Sequence, residues 1–479
     1  MTALRLTWVQ PEDLLGHELR QAAQDGREPS AIAARWTAAG GPAAPHRDGA
    51  SPEPVSPYLR LLAEDLLDEL ADLPSGLRET EPTELDGIRA LCPEWPTAKD
   101  RHVPAGHLGP VSNVTPAGRT TPPSTQALAR LEAAWLGRAA GCLLGKPVEK
   151  LPLHAIRALA RATGNWPLST WFTARGLPAD LAAAHPWNRR SATTSLAENI
   201  DGMPEDDDLN YPLLNLLLLR RHGPGFTTAD VARHWLDELP AGRTFTAERV
   251  AYRNLLSGIA PPRTARHRNP FREWIGALIR ADVHGWTHPG DPATAAGQAH
   301  RDAVLTHTAN GVYAAMFAAA VIAEAAAGTH DVHHCLRTGL RVVPPGSRLA
   351  GAVRHAIQLA QDHRDFDTVV DRLHLAHADY HWVHAVPNTA LLAAALTHAD
   401  GDFTGSICRA VSGGLDTDSV GATAGSIAGL LAGDPAGLPQ RWTRPLKNRL
   451  ATSVADFNGI GFDALAQLTL RETTPRCTK

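Results

Sequence analysis

Leucine and alanine recur along this chain at three- and four-residue spacing, and that pattern predicts a succession of amphipathic helices. Between 57 and 73 the apolar positions Leu59, Leu61, Leu62, Leu66, Leu67 and Leu70 are assigned to one helical face. From Thr125 onward the helical pattern is nearly continuous, with expected helices over 126–144, 211–221, 249–256, 292–305, 310–327, 347–361, 388–399 and 419–431. Alanine and leucine are both strong helix formers. The alternating runs of β-branched residues that a sheet would require are almost absent. The expected fold class is therefore all-α.

Two stretches break the periodicity. Residues 37–57 and 103–125 are rich in Pro, Gly, Ala, Ser and Thr and carry no helical period, so they read as linkers. They divide the chain into a helical N-terminal region, 1–125, tied loosely to a larger unit, 126–479. No chemical motif stands out in the first of these.

Composition narrows the class. A hydrophobic content of 43% supplies a substantial core, and 20% charged residues with a net charge of -4 is ordinary for a soluble protein. Such a balance offers no general electrostatic attraction for nucleic acid or a membrane surface. The five cysteines, Cys92, Cys142, Cys335, Cys408 and Cys477, are odd in number and form no CxxC pair. That pattern excludes a disulfide framework and fits a reducing cytoplasm. The start of the chain lacks the apolar core of a signal peptide, and no run of about 18 uninterrupted apolar residues suited to a bilayer occurs.

The chemistry concentrates in two acidic clusters. Glu205-Asp206-Asp207-Asp208 precedes a leucine-rich helix expected to start at Tyr211 or Pro212. Alone it could be a solvated turn capping that helix. Ser412-Gly-Gly-Leu-Asp416-Thr-Asp418-Ser419 leads into a second apolar helix. In this helix Gly421, Gly425 and Gly429 form a stripe without side chains, and Gly137, Gly141 and Gly145 form a matching stripe upstream. Each glycine costs a helix up to about 1 kcal/mol against alanine, so close approach of another helix is the expected return. Two such helices packed together would bring their acidic segments into one place. Carboxylates and a hydroxyl are hard oxygen donors suited to Mg²⁺ or Mn²⁺. An EF-hand is excluded, because no third acidic ligand follows Asp418 before the helix continues.

Three ordered motifs carry a family likeness. Gly137-Arg-Ala-Ala-Gly141-Cys-Leu-Leu-Gly145-Lys-Pro-Val-Glu149, Asp206-Asp207-Asp208-Leu209-x-Tyr211 and Gly414-Leu-Asp416-Thr-Asp418-Ser419-x-Gly421 together resemble the ADP-ribosylglycohydrolase family, over roughly residues 130–465. The chain departs from the usual pattern at Cys142, where Asp is common, at Leu209, where Thr is common, and at Ile275, where many members have Asn. The resemblance implies an orthogonal helical bundle and two divalent cations, Mg²⁺ or Mn²⁺, held by Asp206, Asp207, Asp208, Asp416, Asp418 and Ser419. It implies that Glu149 handles a proton at the scissile bond and that Asp207 or Asp208 holds the attacking water. Gly276, Arg280, His307, Asn310 and Gly311 fall in segments similar to those that meet the substrate, and His384 and Asn388 are further neighbours of that cavity or simple helix caps. The implied activity is hydrolysis of the bond between ADP-ribose, or a related nucleotide-ribose, and a protein or small-molecule acceptor. An ADP-ribosylated nucleic acid is compatible with that chemistry. A relative that binds ADP-ribose or a nucleotide without cleaving it is the alternative, and the three departures are its motive.

Overall fold

The helix over Thr125–Gly145 packs antiparallel against the helix over Thr417–Ala432, and the rest of the bundle is arranged around this pair. A Cβ added at Gly137, Gly141 or Gly145 would come closer than 3.0 Å to the backbone of Gly425, Gly421 and Thr417 respectively. Gly421, Gly425 and Gly429 meet Gly141, Gly137 and Ala133 in return. The two glycine stripes are thus each other's partners, and the backbones touch where side chains would otherwise keep helices about 8–10 Å apart.

The computed structural model describes residues 5–45, 49–97 and 125–473. The linker expected over 103–125 lies outside the described residues except for Thr125, as does Cys477. Among the described residues there is no strand, only the isolated bridges Met203–Leu450, Trp274–His384 and Leu450–Ile460. The all-α expectation holds, and the described residues form a helical bundle.

The expected helices occur as Thr125–Gly145, Asp207–His222, Thr246–Leu256, Pro292–Ala303, Ala309–Ala327, Arg348–Asp362, Ala385–His398 and Thr417–Ala432. The Ala309–Ala327 helix is long and apolar enough to cross a membrane, with a mean hydropathy of 1.4, but it is wholly buried within the protein. In the N-terminal region, after helices over Pro11–Gln24 and Ser30–Ala38, a helix runs over Pro57–Asp72, capped by the Ser56 hydroxyl at Leu59 N. Its buried face is Ala63, Leu66, Leu67 and Leu70, whereas Leu61 is 65% exposed. Leu61 belongs to the opposite face, since 100° per residue separates it from the 59–62–66–70 row.

Buried ion pairs join distant parts of the chain. Arg272 bonds Glu18 at 2.6 Å and also pairs with Asp25, both from the N-terminal region. Glu81 receives Arg348 at 2.7 Å and Asn310 at 2.8 Å. The N-terminal helices therefore contact the larger unit through desolvated, paired charges rather than through a linker alone. Deeper inside, Arg280 reaches Glu248 at 2.9 Å, Asp302 at 2.8 Å and the Thr306 hydroxyl at 2.8 Å. Removing one side of such a buried pair strands the other charge and costs about 3–5 kcal/mol. Arg280→Met is accordingly expected to lower stability by that amount in chemical denaturation, and an unchanged midpoint would refute the account.

Candidate metal centre

The antiparallel glycine pair places the C-terminal end of one helix beside the N-terminal end of the other, and the acidic segments follow from that. Thr417 Oγ1 donates to the Gly145 carbonyl at 2.9 Å, which fixes the second acidic segment against the end of the first helix. Asp416 occupies the N-cap position of its helix, and Asp418 and Ser419 lie in the first turn. The first cluster behaves likewise. The expectation of a loop ending at Tyr211 is corrected, because the helix starts at Asp207 with Asp206 as its N-cap, its Oδ1 accepting from Asp208 N at 2.9 Å. Carboxylates at helix N-termini are favoured by the helix dipole and by the free N–H groups there.

Pro212 lies inside this helix. Proline has no N–H, so the carbonyl four residues earlier loses its helical donor. That carbonyl belongs to Asp208, and Arg138 Nε donates to it at 2.6 Å. The same guanidinium reaches Asp208 Oδ1 at 3.2 Å and Asp282 Oδ2 at 2.8 Å, and donates to the Ile279 carbonyl. Arg138 thus orients Asp208. Its position in an otherwise small-residue helix was the available signal, and sequence reasoning assigned it no role.

The two segments meet. Ser419 Oγ donates to Asp208 Oδ2 at 3.3 Å, across residues that are far apart in the chain. Burial pushes the Asp207 carboxyl well up, and the charges of Asp206, Asp418 and Glu149 add to it. Asp208 and Asp416 rise for the same reasons, burial first and then Asp206 for the one and Asp418 for the other. Asp418 is raised to about 7 by burial, Glu149 and Asp206. Five carboxylates and Glu149 therefore share one field, with few cations to balance it. Arg138 is one, Lys150 beside Glu149 is another, and Lys146, whose ammonium pairs with Asp206, is a third; burial is the largest single effect on Lys146 and lowers it, but the charges of Asp206 and Asp418 and the hydrogen bond to Asp206 together raise it. Lys146 was not singled out from sequence.

Glu149 is half-buried just after the short helical turn Lys146–Val148. Asn188 Nδ2 donates to its Oε2 at 2.7 Å, and Lys150 Nζ lies 3.2 Å from its Oε1. Asn388 supports the other side of the centre: its Oδ1 accepts from Asp416 N at 3.1 Å, and its amide donates to the Trp382 and His384 carbonyls, both at 2.8 Å. The helix cap at this point is His384, through Val386 N at 3.2 Å.

Gly276, Arg280, His307, Asn310 and Gly311 are all buried, around the ion-pair networks rather than at an open surface. A Cβ on Gly276 would collide with Glu248, and one on Gly311 with the Arg272 carbonyl. Burial and the Arg280 charge hold the His307 imidazole well below its ordinary range, and its Nδ1 lies 2.6 Å from Thr306 Oγ1. Asn310 bonds Glu81 and Glu273 and accepts from Leu349 N at 2.9 Å.

The residues fit hard cations. Oxygen donors crowd one buried spot, and the carboxyls of Asp207, Asp208, Asp416 and Asp418 are raised by burial and then by neighbouring carboxylates, a cost that bound divalent ions would offset. Cys142 lies within 4.8 Å of donor atoms of Asp206 and Asp208. Its thiol is pushed well up by burial and those two carboxylates, so it stays protonated, with Sγ 4.0 Å from Asp208 Oδ2. A protonated thiol is a poor ligand for Mg²⁺ or Mn²⁺. Lys146→Met should leave Asp206 uncompensated, lowering the melting temperature in EDTA and enlarging its rise on adding Mn²⁺. Equal rises in the variant and the parent would show that the ammonium is not balancing the cluster.

The sequence profile of ADP-ribosylglycohydrolase matches residues 123–475. The chain belongs to the ADP-ribosylglycohydrolase family. Membership makes it an enzyme of the glycohydrolase type and implies an ADP-ribosylated substrate. A relative from Archaeoglobus fulgidus, described as an uncharacterized protein, is 25% identical over 315 residues, which span 66% of this chain and 90% of the relative. A solved structure titled ADP-ribosylglycohydrolase-related protein complex is 21% identical, covers 73% of this chain and 100% of its own, and superposes with a TM-score of 0.45.

Proposed function

We propose that the acidic centre holds two divalent cations, Mg²⁺ or Mn²⁺, and hydrolyses the glycosidic bond that links ADP-ribose to a protein or a small-molecule acceptor in the cytoplasm. The observation that carries this reading is the convergence of Asp208 with Ser419, at 3.3 Å, within a carboxylate cluster where burial and neighbouring charges push the Asp208 and Asp418 carboxyls up. Asp206, Asp207, Asp208, Asp416, Asp418 and Ser419 would hold the ions. Bound there, the ions would supply Lewis acidity at the ribose and a more acidic water.

The chain's own residues supply the rest. Asp207 is half-buried, unlike Asp206 and Asp208, so it can hold a water at the mouth of the site. Glu149, positioned by Asn188 and Lys150, is placed to move a proton at the leaving group as an oxocarbenium-like state develops. A cleft of about 450 Å³ begins at Lys150 and Leu415, the sequence neighbours of Glu149 and Asp416. Its wall includes Tyr380, Trp382 and His377, flat side chains on which a nucleobase can stack, and Lys150 offers a cation to a phosphate. Gly276, Arg280, Asn310 and Gly311 act in this reading mainly by shaping the inner wall, the side chains of Arg280 and Asn310 being engaged within the protein, whereas His307 keeps a buried Nε2 that makes no hydrogen bond.

The test is release of ADP-ribose from mono-ADP-ribosylated protein and from a small ADP-ribosyl conjugate. Turnover is expected with Mg²⁺ or Mn²⁺, loss of at least about 100-fold in EDTA, and recovery on adding the metal back. Tight binding of ADP-ribose with no turnover on any substrate would instead favour a binding-only relative, the reading that Cys142 beside Asp208 would motivate.

A further inference from the structure

The far end of the buried Ala309–Ala327 helix carries a second group of metal-type ligands. Its Glu324 lies roughly 20 Å along the helix from Asn310, at 1.5 Å per residue. Glu324 is 2% exposed and its Oε1 accepts no hydrogen bond. Two imidazole nitrogens nevertheless approach that oxygen: His330 Nε2 at 3.4 Å and His334 Nε2 at 3.5 Å. The two rings stack at 3.9 Å with an interplanar angle of 15°, and one donor atom from each of the three residues lies within 4.8 Å of the others.

These separations are close to those of a metal coordination shell. Ligand bonds of about 2.0–2.1 Å in a tetrahedral zinc site place neighbouring donor atoms roughly 3.3–3.4 Å apart. Glu324 Oε1 stands at that spacing from both Nε2 atoms, and the stacked rings, 15° apart, would have to tilt for both in-plane lone pairs to reach one ion. The soft terminal torsion of histidine allows this tilt. The backbone already holds the pair in place, because Asp331 caps the Val332–Leu340 helix through His334 N at 2.7 Å. His333 faces elsewhere and pairs with Asp400 at 2.9 Å.

We propose that Glu324, His330 and His334 form a second metal site, separate from the acidic centre, which takes Zn²⁺ with solvent in its fourth position. The histidine side chains are 27% and 39% exposed, so an ion and a water can reach them from outside. Two imidazoles and one carboxylate form a borderline-soft donor set that suits zinc, whereas the all-oxygen acidic centre suits Mg²⁺ or Mn²⁺. The bound ion would staple the end of the core helix to the helix that follows.

The experiment is calorimetric titration of ZnCl₂ into the chelator-stripped full chain, with Mg²⁺ saturating the acidic centre. One equivalent of zinc is expected to bind, with affinity falling at least 100-fold in His330→Ala and in His334→Ala. Both replaced residues are partly exposed, so the variants should fold, which circular dichroism checks. The Asp416→Ala/Asp418→Ala chain should keep the zinc equivalent. Cobalt substitution should give the intense visible absorption of tetrahedral Co²⁺ in the parent and not in His334→Ala. Absence of a zinc equivalent in the parent, its loss in the aspartate variant alone, or its survival in both histidine variants would overturn the proposal. None of these results bears on hydrolysis at the acidic centre, so the two readings succeed or fail independently.

Discussion

Replacing Asp416 by Ala should reduce hydrolysis of an ADP-ribosyl substrate by about 10³-fold or more while leaving the helical content unchanged. The side chain is nearly buried at the N-cap position of the Thr417–Ala432 helix, and it shares its field with Asp418 and Glu149. Removing it deletes a hard ligand from the cation site, where each several kcal/mol of charge stabilisation corresponds to a factor of a thousand in rate. It also relieves repulsion, so the apo protein should be no less stable than the parent in EDTA. The paired signs are what make the test specific. A residue that served only as a structural cap would lose stability together with activity, because losing an N-cap costs roughly 0.5–2 kcal/mol. A variant that retained metal-dependent turnover within tenfold of the parent would remove Asp416 from the site.

Much of the fold could be read from the chain because its helices are written in Leu and Ala. The main helices arise from local periodicity, which a sequence displays directly. The site was legible for a different reason. Two glycine stripes at four-residue spacing have little use except to meet each other, and each adjoins an acidic segment, so local features implied a long-range contact. Where no such device exists, the sequence was silent. Arg272 finds Glu18, and Arg348 finds Glu81, across stretches of chain with no shared period. The same holds for Asn188 at Glu149 and Asn388 at Asp416. The start of the Asp207–His222 helix lies earlier than the sequence suggests, because proline favours a first turn and Pro212 sits inside the helix instead. In fact the carbonyl it frees on Asp208 is satisfied by Arg138, a partner that only the tertiary structure supplies.

Replacing Gly141 by Ala should destabilise the protein by more than about 3 kcal/mol, the upper end of what inserted methyl groups cost in packed cores. The added Cβ would meet the Gly421 carbonyl and the Ala422 backbone, and no flexible side chain is available there to give way. Gly351→Ala provides the matched control. That glycine is in the Arg348–Asp362 helix, is exposed, and would place its Cβ in open space. By helix propensity alone it should gain up to about 1 kcal/mol. Opposite shifts in melting temperature from the same chemical change, a single methyl group in a helix, would isolate backbone contact as the cause. The consequence extends to the site. To accept the methyl group the two helices must separate, and separation pulls Asp208 away from Ser419, so affinity for Mn²⁺ should fall along with stability. Weakened metal binding in Gly141→Ala at a temperature where the fold persists would tie the packing of the two stripes to the assembly of the centre. A variant as stable as the parent, binding Mn²⁺ equally well, would mean that the stripes do not hold the acidic segments together.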